Sequence, residues 1–204
     1  MKIICIGRNY SEHARELNNS VPDEPVIFMK PDSALLRNND PFYIPDFSSE
    51  IHYECELVIR INRLGMNIES QFADRYFAEV GLGVDFTARD LQNQLKAKGL
   101  PWEKAKAFDQ SAAIGLSFLS KTELPPLDQL HFELRKNGEV VQQGDSSQML
   151  FPVPALIEHI SRYFTLKIGD LIYTGTPAGV GPVRIGDRLT GVLEGHQLFD
   201  FEIK

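Results

Sequence analysis

The stretch that decides the reading of this chain is IHYECELVIRI, residues 51–61. Side chains alternate along a strand, so residues two apart share a face. Tyr53, Cys55, Leu57, Ile59 and Ile61 form one continuous apolar face, which predicts a strand laid on a core. His52, Glu54, Glu56, Val58 and Arg60 share the other face, which puts two carboxylates side by side. At about 6 Å they repel by roughly 0.7 kcal/mol in water and roughly 3 kcal/mol at an effective dielectric of 20. A solvated sheet face tolerates that repulsion, whereas a cleft needs a cation. The segment is therefore either the wet side of a sheet or half of a divalent-metal site.

Working outward, 204 residues with 43% hydrophobic content suffice for one sizeable core, and a single domain over 1–204 is expected. The net charge of −7 comes without a basic run, so no nucleic-acid partner is expected. No apolar run approaches the roughly 18 residues of a membrane span, and the start MKIICIGRNY is too short for a signal peptide. The two cysteines, Cys5 and Cys55, lack C-x-x-C spacing and sit in apolar strand patterns, which fits buried free thiols in a reducing cytoplasm.

KIICIG, VIFMKP, DLIYTGTP and the closing DRLTGVLEG and LFDFEIK segments read as strands. HFELRKNGEVVQQG reads as a hairpin turning at Asn137-Gly138. SEHARELNN predicts a short helix with Ser11 as its N-cap, and PVPALIEHISRYF another helix. IESQFADRYFAEV has helical spacing, with Phe72, Tyr76, Phe77 and Val80 on one side. In TARDLQNQLKAKG, Thr87 and Asp90 match a capping box and Gly99 suits the C′ position. Strands outnumber helices with few strand–helix–strand alternations, so the fold class is a β-rich α+β domain.

Asp85, at the end of the apolar VGLGV run, reads either as an acid favoured by the following helix N-terminus or as a third carboxylate beside Glu54 and Glu56. Three oxygen donors without Cys or His favour magnesium, calcium or manganese over zinc. Arg89 and Gln92, three apart on the next helix, share a face and suit an anionic substrate as well as surface pairing. His13-x-x-Glu16 reads as a surface contact or as an imidazole base oriented by a carboxylate. Lys104 and Lys106 lie near Trp102; a lysine in a metal cleft would stabilise a developing enolate. TGTPAGVGP is neither a P-loop nor a dinucleotide turn, and reads as turn architecture or as a carboxylate-holding loop through Thr174 or Thr176. His52, His131, His159 and His196 show no ligand spacing and read as structural.

In their order and spacing, GRNYSEHARE, IFMKP, HYECELVIRI, VDFTARDLQ, KGLPWEKAKAFD, GDSSQMLF and YTGTPAGVGP resemble the fumarylacetoacetate hydrolase family, in its short acylpyruvase and oxaloacetate decarboxylase type. The resemblance runs over nearly the whole chain. It implies a mixed β-sandwich or roll, assembled as a homodimer. It implies that Glu54, Glu56 and Asp85 bind magnesium or manganese, with calcium a substitute in crystals. It further implies that His13 and Glu16 form a base dyad on a lid helix, that Arg89, Gln92 and Lys106 contact substrate and enolate, and that Thr176 contacts the substrate carboxylate. DQSAAIG departs from the family's more usual sequence after the Lys-x-Phe-Asp stretch, which bears on substrate choice.

The expected activity is metal-dependent cleavage of the C–C bond of acylpyruvates such as fumarylpyruvate or acetylpyruvate, or decarboxylation of oxaloacetate, on a small 2-oxo acid through a pyruvate enolate. The alternatives are an isomerase or decarboxylase of 2-hydroxyhepta-2,4-diene-1,7-dioate and related diacids, and a non-catalytic sugar- or partner-binding β-domain that needs no convergence of the three carboxylates.

Overall fold

The computed structural model describes residues 1–12 and 21–204. The larger sheet contains β1 (Ile3–Gly7), β2 (Val26–Lys30), β3 (Leu35–Leu36), β5 (Cys55–Ile61), β6 (Phe77–Asp85), β8 (Ala112–Ile114), β9 (Leu119–Ser120) and β12 (Leu171–Tyr173). Its order is β2-β1-β12-β5-β6-β8-β3, with β9 also on β6. The β1–β12 and β3–β8 pairs are parallel and the rest antiparallel. A second sheet runs β11-β10-β14-β15, from β10 (His131–Lys136), β11 (Glu139–Asp145), β14 (Arg188–Leu193) and β15 (His196–Glu202). A small sheet joins β4 (Ile51–Tyr53), β7 (Thr87–Ala88) and β13 (Gly181–Pro182). The expected β-rich mixed sandwich is what forms.

The main core lies between the two larger sheets. Cys55, Leu57, Ile59 and Ile61 of β5 meet Val80, Leu82 and Val84 of β6 there, with Phe132, Leu134, Leu189 and Phe199 from the facing sheet. The apolar half of residues 51–61 therefore does what its alternation predicts. The other face is also covered: Val58 packs with Ile3, Cys5, Leu171 and Tyr173 in a second, smaller cluster. Both cysteines are free and buried. On β6 the same alternation turns Gly81, Gly83 and Asp85 to this second face. The hydrogen of Gly83 faces Tyr173, where an added Cβ would lie 2.8 Å from the ring and 2.5 Å from the Ala113 carbonyl oxygen.

Three local expectations are corrected. Residues 51–61 are not one strand, because pairing switches at Glu54: β4 pairs with β7 and β13, and β5 with β6 and β12. The helix expected from IESQFADRYFAEV is a 3-10 segment, Ser70–Tyr76, that gives way to β6. Phe77 and Val80 pair with Ile61 and Ile59 of β5, and that buried ladder outweighs local helical spacing. The capping box does not form. Thr87 lies in β7, its hydroxyl buried without a hydrogen-bond partner, and the helix starts at Arg89. Asp90 instead accepts from the Ser48 hydroxyl at 2.6 Å, the Ser49 amide at 3.0 Å and the Leu91 amide at 2.8 Å, tying the helix start to the 48–49 loop.

At the other end, the helix Arg89–Ala97 closes as a Schellman motif. The Leu100 amide donates to Leu95 O at 3.0 Å and the Gly99 amide to Lys96 O at 3.1 Å, with Gly99 at φ +62° as its C′ position requires. The helix Val153–Tyr163 forms as expected and holds the 67–70 turn through Ser161 and Glu158. No described helix is long and apolar enough to cross a membrane.

Candidate active site and metal centre

The parallel β1–β12 pair delivers Gly7–Arg8 and Thr174–Thr176 to one end of the large sheet. Antiparallel β5 begins at that end, and β6 finishes there. Four strands thus bring Glu54, Glu56, Asp85 and Thr176 together from widely separated sequence. The backbone closes the arrangement: the Asp85 amide donates to Glu54 O at 2.8 Å, and the Gly175 amide to Glu56 Oε2 at 2.7 Å. Gly175 sits at φ +101°, and a Cβ there would stand 2.7 Å from Asn9 Cβ, so no other residue fits this approach.

Glu54, Glu56 and Asp85 are 5%, 2% and 0% exposed, and one oxygen from each lies within 4.8 Å of the others. Octahedral ligands at about 2.1 Å from one ion stand roughly 3–4 Å apart, so small rotamer adjustments suffice for a shared ion. Asp85 Oδ1 is buried and receives no oriented hydrogen bond. Lys30 Nζ forms an ion pair with it at 2.7 Å and also reaches Ser111 O, Ser111 Oγ, Phe86 O and the Lys106 carbonyl. Burial, then repulsion from Asp85 and Glu54, pushes the Glu56 carboxyl well above its ordinary range. An all-oxygen set under this electrostatic stress fits a hard divalent cation.

The cations are arranged around these acids. Lys106 Nζ donates to Glu54 Oε2 at 2.6 Å and to Asp85 Oδ2 at 2.8 Å. Burial disfavours its ammonium, but Asp85 and Glu54 outweigh that and hold its pKa above the ordinary lysine value, which favours the charged donor form. Lys104, the other lysine singled out by sequence, faces solvent. Arg89 donates from Nη2 to Glu54 Oε1 and from Nη1 to Gln92 Oε1 at 2.6 Å. These groups and Thr176 line one cavity, together with Arg8, Lys96, Phe28 and Trp102. Burial, with Arg89 and Arg8 nearby, pulls the Lys96 pKa down to about 8. His13 and Glu16 lie outside the described residues.

The structure adds four residues that sequence reasoning did not select. Gln142 is buried in β11; it donates to Thr176 Oγ1 at 2.8 Å and accepts from the Cys55 amide at 2.9 Å, fixing the threonine relative to the E-x-E strand. Asn9 donates to Phe151 O and Thr174 O and accepts from the Phe151 amide, at 2.8–3.0 Å. Of the two threonines in the loop, Thr174 is spent on the frame, donating to Leu57 O at 3.0 Å. Lys30 supports Asp85 as described. His52, read as structural, shares Nε2 with Glu50 Oε1 at 2.8 Å and accepts from Arg89 Nε at 3.4 Å, so it orients the arginine as its neutral Nε2–H tautomer.

The fold is a mixed sandwich with a buried acid cluster at one sheet end, ringed by lysine, arginine and glutamine, in which Glu54, Glu56 and Asp85 could share one metal ion. Residues 2–200 match the fumarylacetoacetate (FAA) hydrolase C-terminal family, and the chain belongs to that family. It is 40% identical to the oxaloacetate tautomerase YcgM of Escherichia coli K12 over 198 residues, which is 97% of this chain and 90% of the relative. The fumarylpyruvate hydrolase of Pseudomonas aeruginosa, solved with Mn2+ and pyruvate, superposes with a TM-score of 0.91 at 34% identity, covering 100% of this chain and 88% of that one. The 2-hydroxyhepta-2,4-diene-1,7-dioate isomerase of Mycobacterium marinum gives a TM-score of 0.86 at 34% identity, covering 99% and 73%.

Proposed function

We propose that the chain is a single catalytic domain that converts a small 2-oxo acid through its enolate, with magnesium or manganese held by Glu54, Glu56 and Asp85. The convergence of these three buried carboxylates, one ligand atom each within 4.8 Å, carries the reading. A bound divalent ion would supply Lewis acidity toward the substrate's oxo group. This chain's own residues do the rest. Arg89 and the Gln92 amide, with Thr176 opposite, bind and orient the substrate carboxylate. Lys106, held protonated, presents its ammonium where negative charge develops on the 2-oxo oxygen. A preorganised donor of this kind typically contributes about 3–4 kcal/mol of transition-state stabilisation.

Cleavage of acylpyruvates follows if His13, oriented by Glu16, takes a proton from water that attacks the distal carbonyl and pyruvate leaves as its enolate. Loss of carbon dioxide from oxaloacetate yields the same enolate. The bacterial oxaloacetate tautomerase relative supports a reaction with fewer parts: His13 would take a proton from C3 and a proton would be returned to the enolate oxygen to give the enol, with the enolate-stabilising half of the site and no water attack. A second reading, isomerisation of hydroxydienoic diacids, rests on the mycobacterial neighbour and uses the same half. Homodimeric assembly and a cytoplasmic location are also proposed, the latter supported by the two buried free thiols.

A substrate panel with magnesium separates these activities. Pyruvate release marks hydrolysis or decarboxylation, and an ultraviolet change without pyruvate marks tautomerisation or isomerisation. Chelator is expected to abolish all of them. Turnover that survives chelation would overturn the metal assignment.

A further inference from the structure

Gln142 is a buried amide on β11, paired with Leu134 of β10 and 2% exposed. Its backbone partners settle which end of the amide is oxygen and which is nitrogen. A backbone N–H only donates, and a backbone carbonyl only accepts. The Cys55 amide, 2.9 Å away, therefore meets Oε1, and the Pro177 carbonyl, 3.0 Å away, meets Nε2. Nε2 also lies 2.8 Å from Thr176 Oγ1. That nitrogen has only protons to offer, so the threonine hydroxyl is the acceptor in this bond. Turning the amide over would strand two backbone groups, which holds it in this orientation.

The consequence falls on the Thr176 proton. A hydroxyl carries one proton and two lone pairs, and with a lone pair spent on Gln142 the proton points away from that amide. Thr176 lines the cavity that also holds Glu54, Glu56, Asp85 and Arg89. Thr174, two residues earlier in the same loop, has the opposite polarity, because it donates to the Leu57 carbonyl at 3.0 Å. One hydroxyl of the loop thus gives its proton to the frame, and the other takes a proton from it. A carboxylate only accepts, so it is drawn to a hydroxyl proton and repelled by a hydroxyl lone pair. The direction in which Thr176 is turned decides whether it attracts or repels a bound anion.

We propose that Gln142 is a positioning residue that sets the hydrogen-bond polarity of Thr176, turning its proton into the cavity to donate to the carboxylate of the bound 2-oxo acid. This rests on the 2-oxo acid reading above and adds what fixes the direction of one of its contacts. Gln142 acts from the second sheet, through the threonine, one bond removed from the ligand. Gln142→Glu keeps an oxygen for the Cys55 amide and replaces the donor to Thr176 by a second oxygen. The Thr176 proton then turns back toward that carboxylate, and the ligand meets a lone pair.

The test is a double-mutant cycle on binding, read by calorimetric titration of pyruvate with magnesium present. Thr176→Val and Gln142→Glu are each expected to weaken pyruvate binding by about tenfold or more, as for a lost hydrogen bond to a charged group. In the Thr176→Val background the further loss from Gln142→Glu should shrink below about threefold, because no hydroxyl remains to be turned. Thr176→Ser, which keeps the hydroxyl, should bind nearly as the wild type does. Gln142→Met supplies a second cycle without a buried charge. It leaves the Pro177 carbonyl to compete for the Thr176 proton, so a loss of about fivefold is expected, again only where the hydroxyl is present. Melting temperatures show which variants are folded, and either cycle decides the question. A loss of equal size with and without the Thr176 hydroxyl marks a merely structural glutamine and overturns the proposal, as does unchanged binding in a folded Gln142 variant. Failure of the parent reading shows differently, as wild-type protein that binds neither pyruvate nor oxaloacetate and turns over no 2-oxo acid.

Discussion

Lys106 is the residue on which most of the site's electrostatics turn, because one ammonium bridges two carboxylates that would otherwise repel. Lys106→Met is expected to lower kcat by about 10²–10³-fold, read as pyruvate or enol formation, in line with loss of a preorganised donor. The same variant should lose more thermal stability without magnesium than with it, since a divalent cation offsets the repulsion that the lysine no longer relieves. The local sequence offered Lys106 only beside Lys104, and the family resemblance chose Lys106, because adjacency in sequence cannot say which of the two turns inward. Glu54, Glu56 and Asp85 were legible as a set through the family resemblance, since each alone read equally well as a solvated strand face or as an acid at a helix start. Lys30 and Gln142 were not. A lysine before a proline and a glutamine in a hairpin strand look solvent-facing until the partner strand is placed.

At the scale of elements, the hairpin β10–β11 was read correctly because Asn-Gly at its turn has few other uses. Asn137 and Gly138 adopt φ +56° and +85°, the two left-handed residues of a type I′ turn. An added Cβ at Gly138 meets nothing within 4 Å, so Gly138→Ala isolates the backbone cost. It should destabilise by about 1 kcal/mol in denaturant titration with kcat unchanged. The 70–80 segment was misread for the opposite reason. Its apolar spacing satisfies a helix and a strand equally near Phe77, and only pairing with β5 distinguishes them. The break at Glu54 was equally hidden, since alternation continues through it while the hydrogen-bonding partners change.

For the whole molecule, the raised Glu56 pKa gives a pH-dependent stability, to which the proposed metal site would be coupled. The folded-state pKa of Glu56 is raised above its unfolded value, so the folded metal-free protein binds that proton more tightly. This contribution is fully present below the ordinary carboxylate pKa and is lost as pH rises through the raised value. Metal ligation requires the ionised form, so magnesium competes with the proton. Scanning calorimetry should therefore show a magnesium-induced rise in melting temperature that is small near pH 5 and grows toward pH 8. At 100-fold excess over Kd it should reach about 5–10 °C, from about 2.7 kcal/mol of linkage. A rise independent of pH would mean that Glu56 is not a ligand. The position of β12 between β1 and β5 has a consequence for biosynthesis. The strand that joins the β1–β2 hairpin to the E-x-E strand, Leu171–Tyr173, is synthesised long after both of them. A nascent chain that has not reached it carries Glu54, Glu56 and Asp85 without the loop that braces Glu56 through the Gly175 amide, so the carboxylate cluster assembles only after this strand is placed.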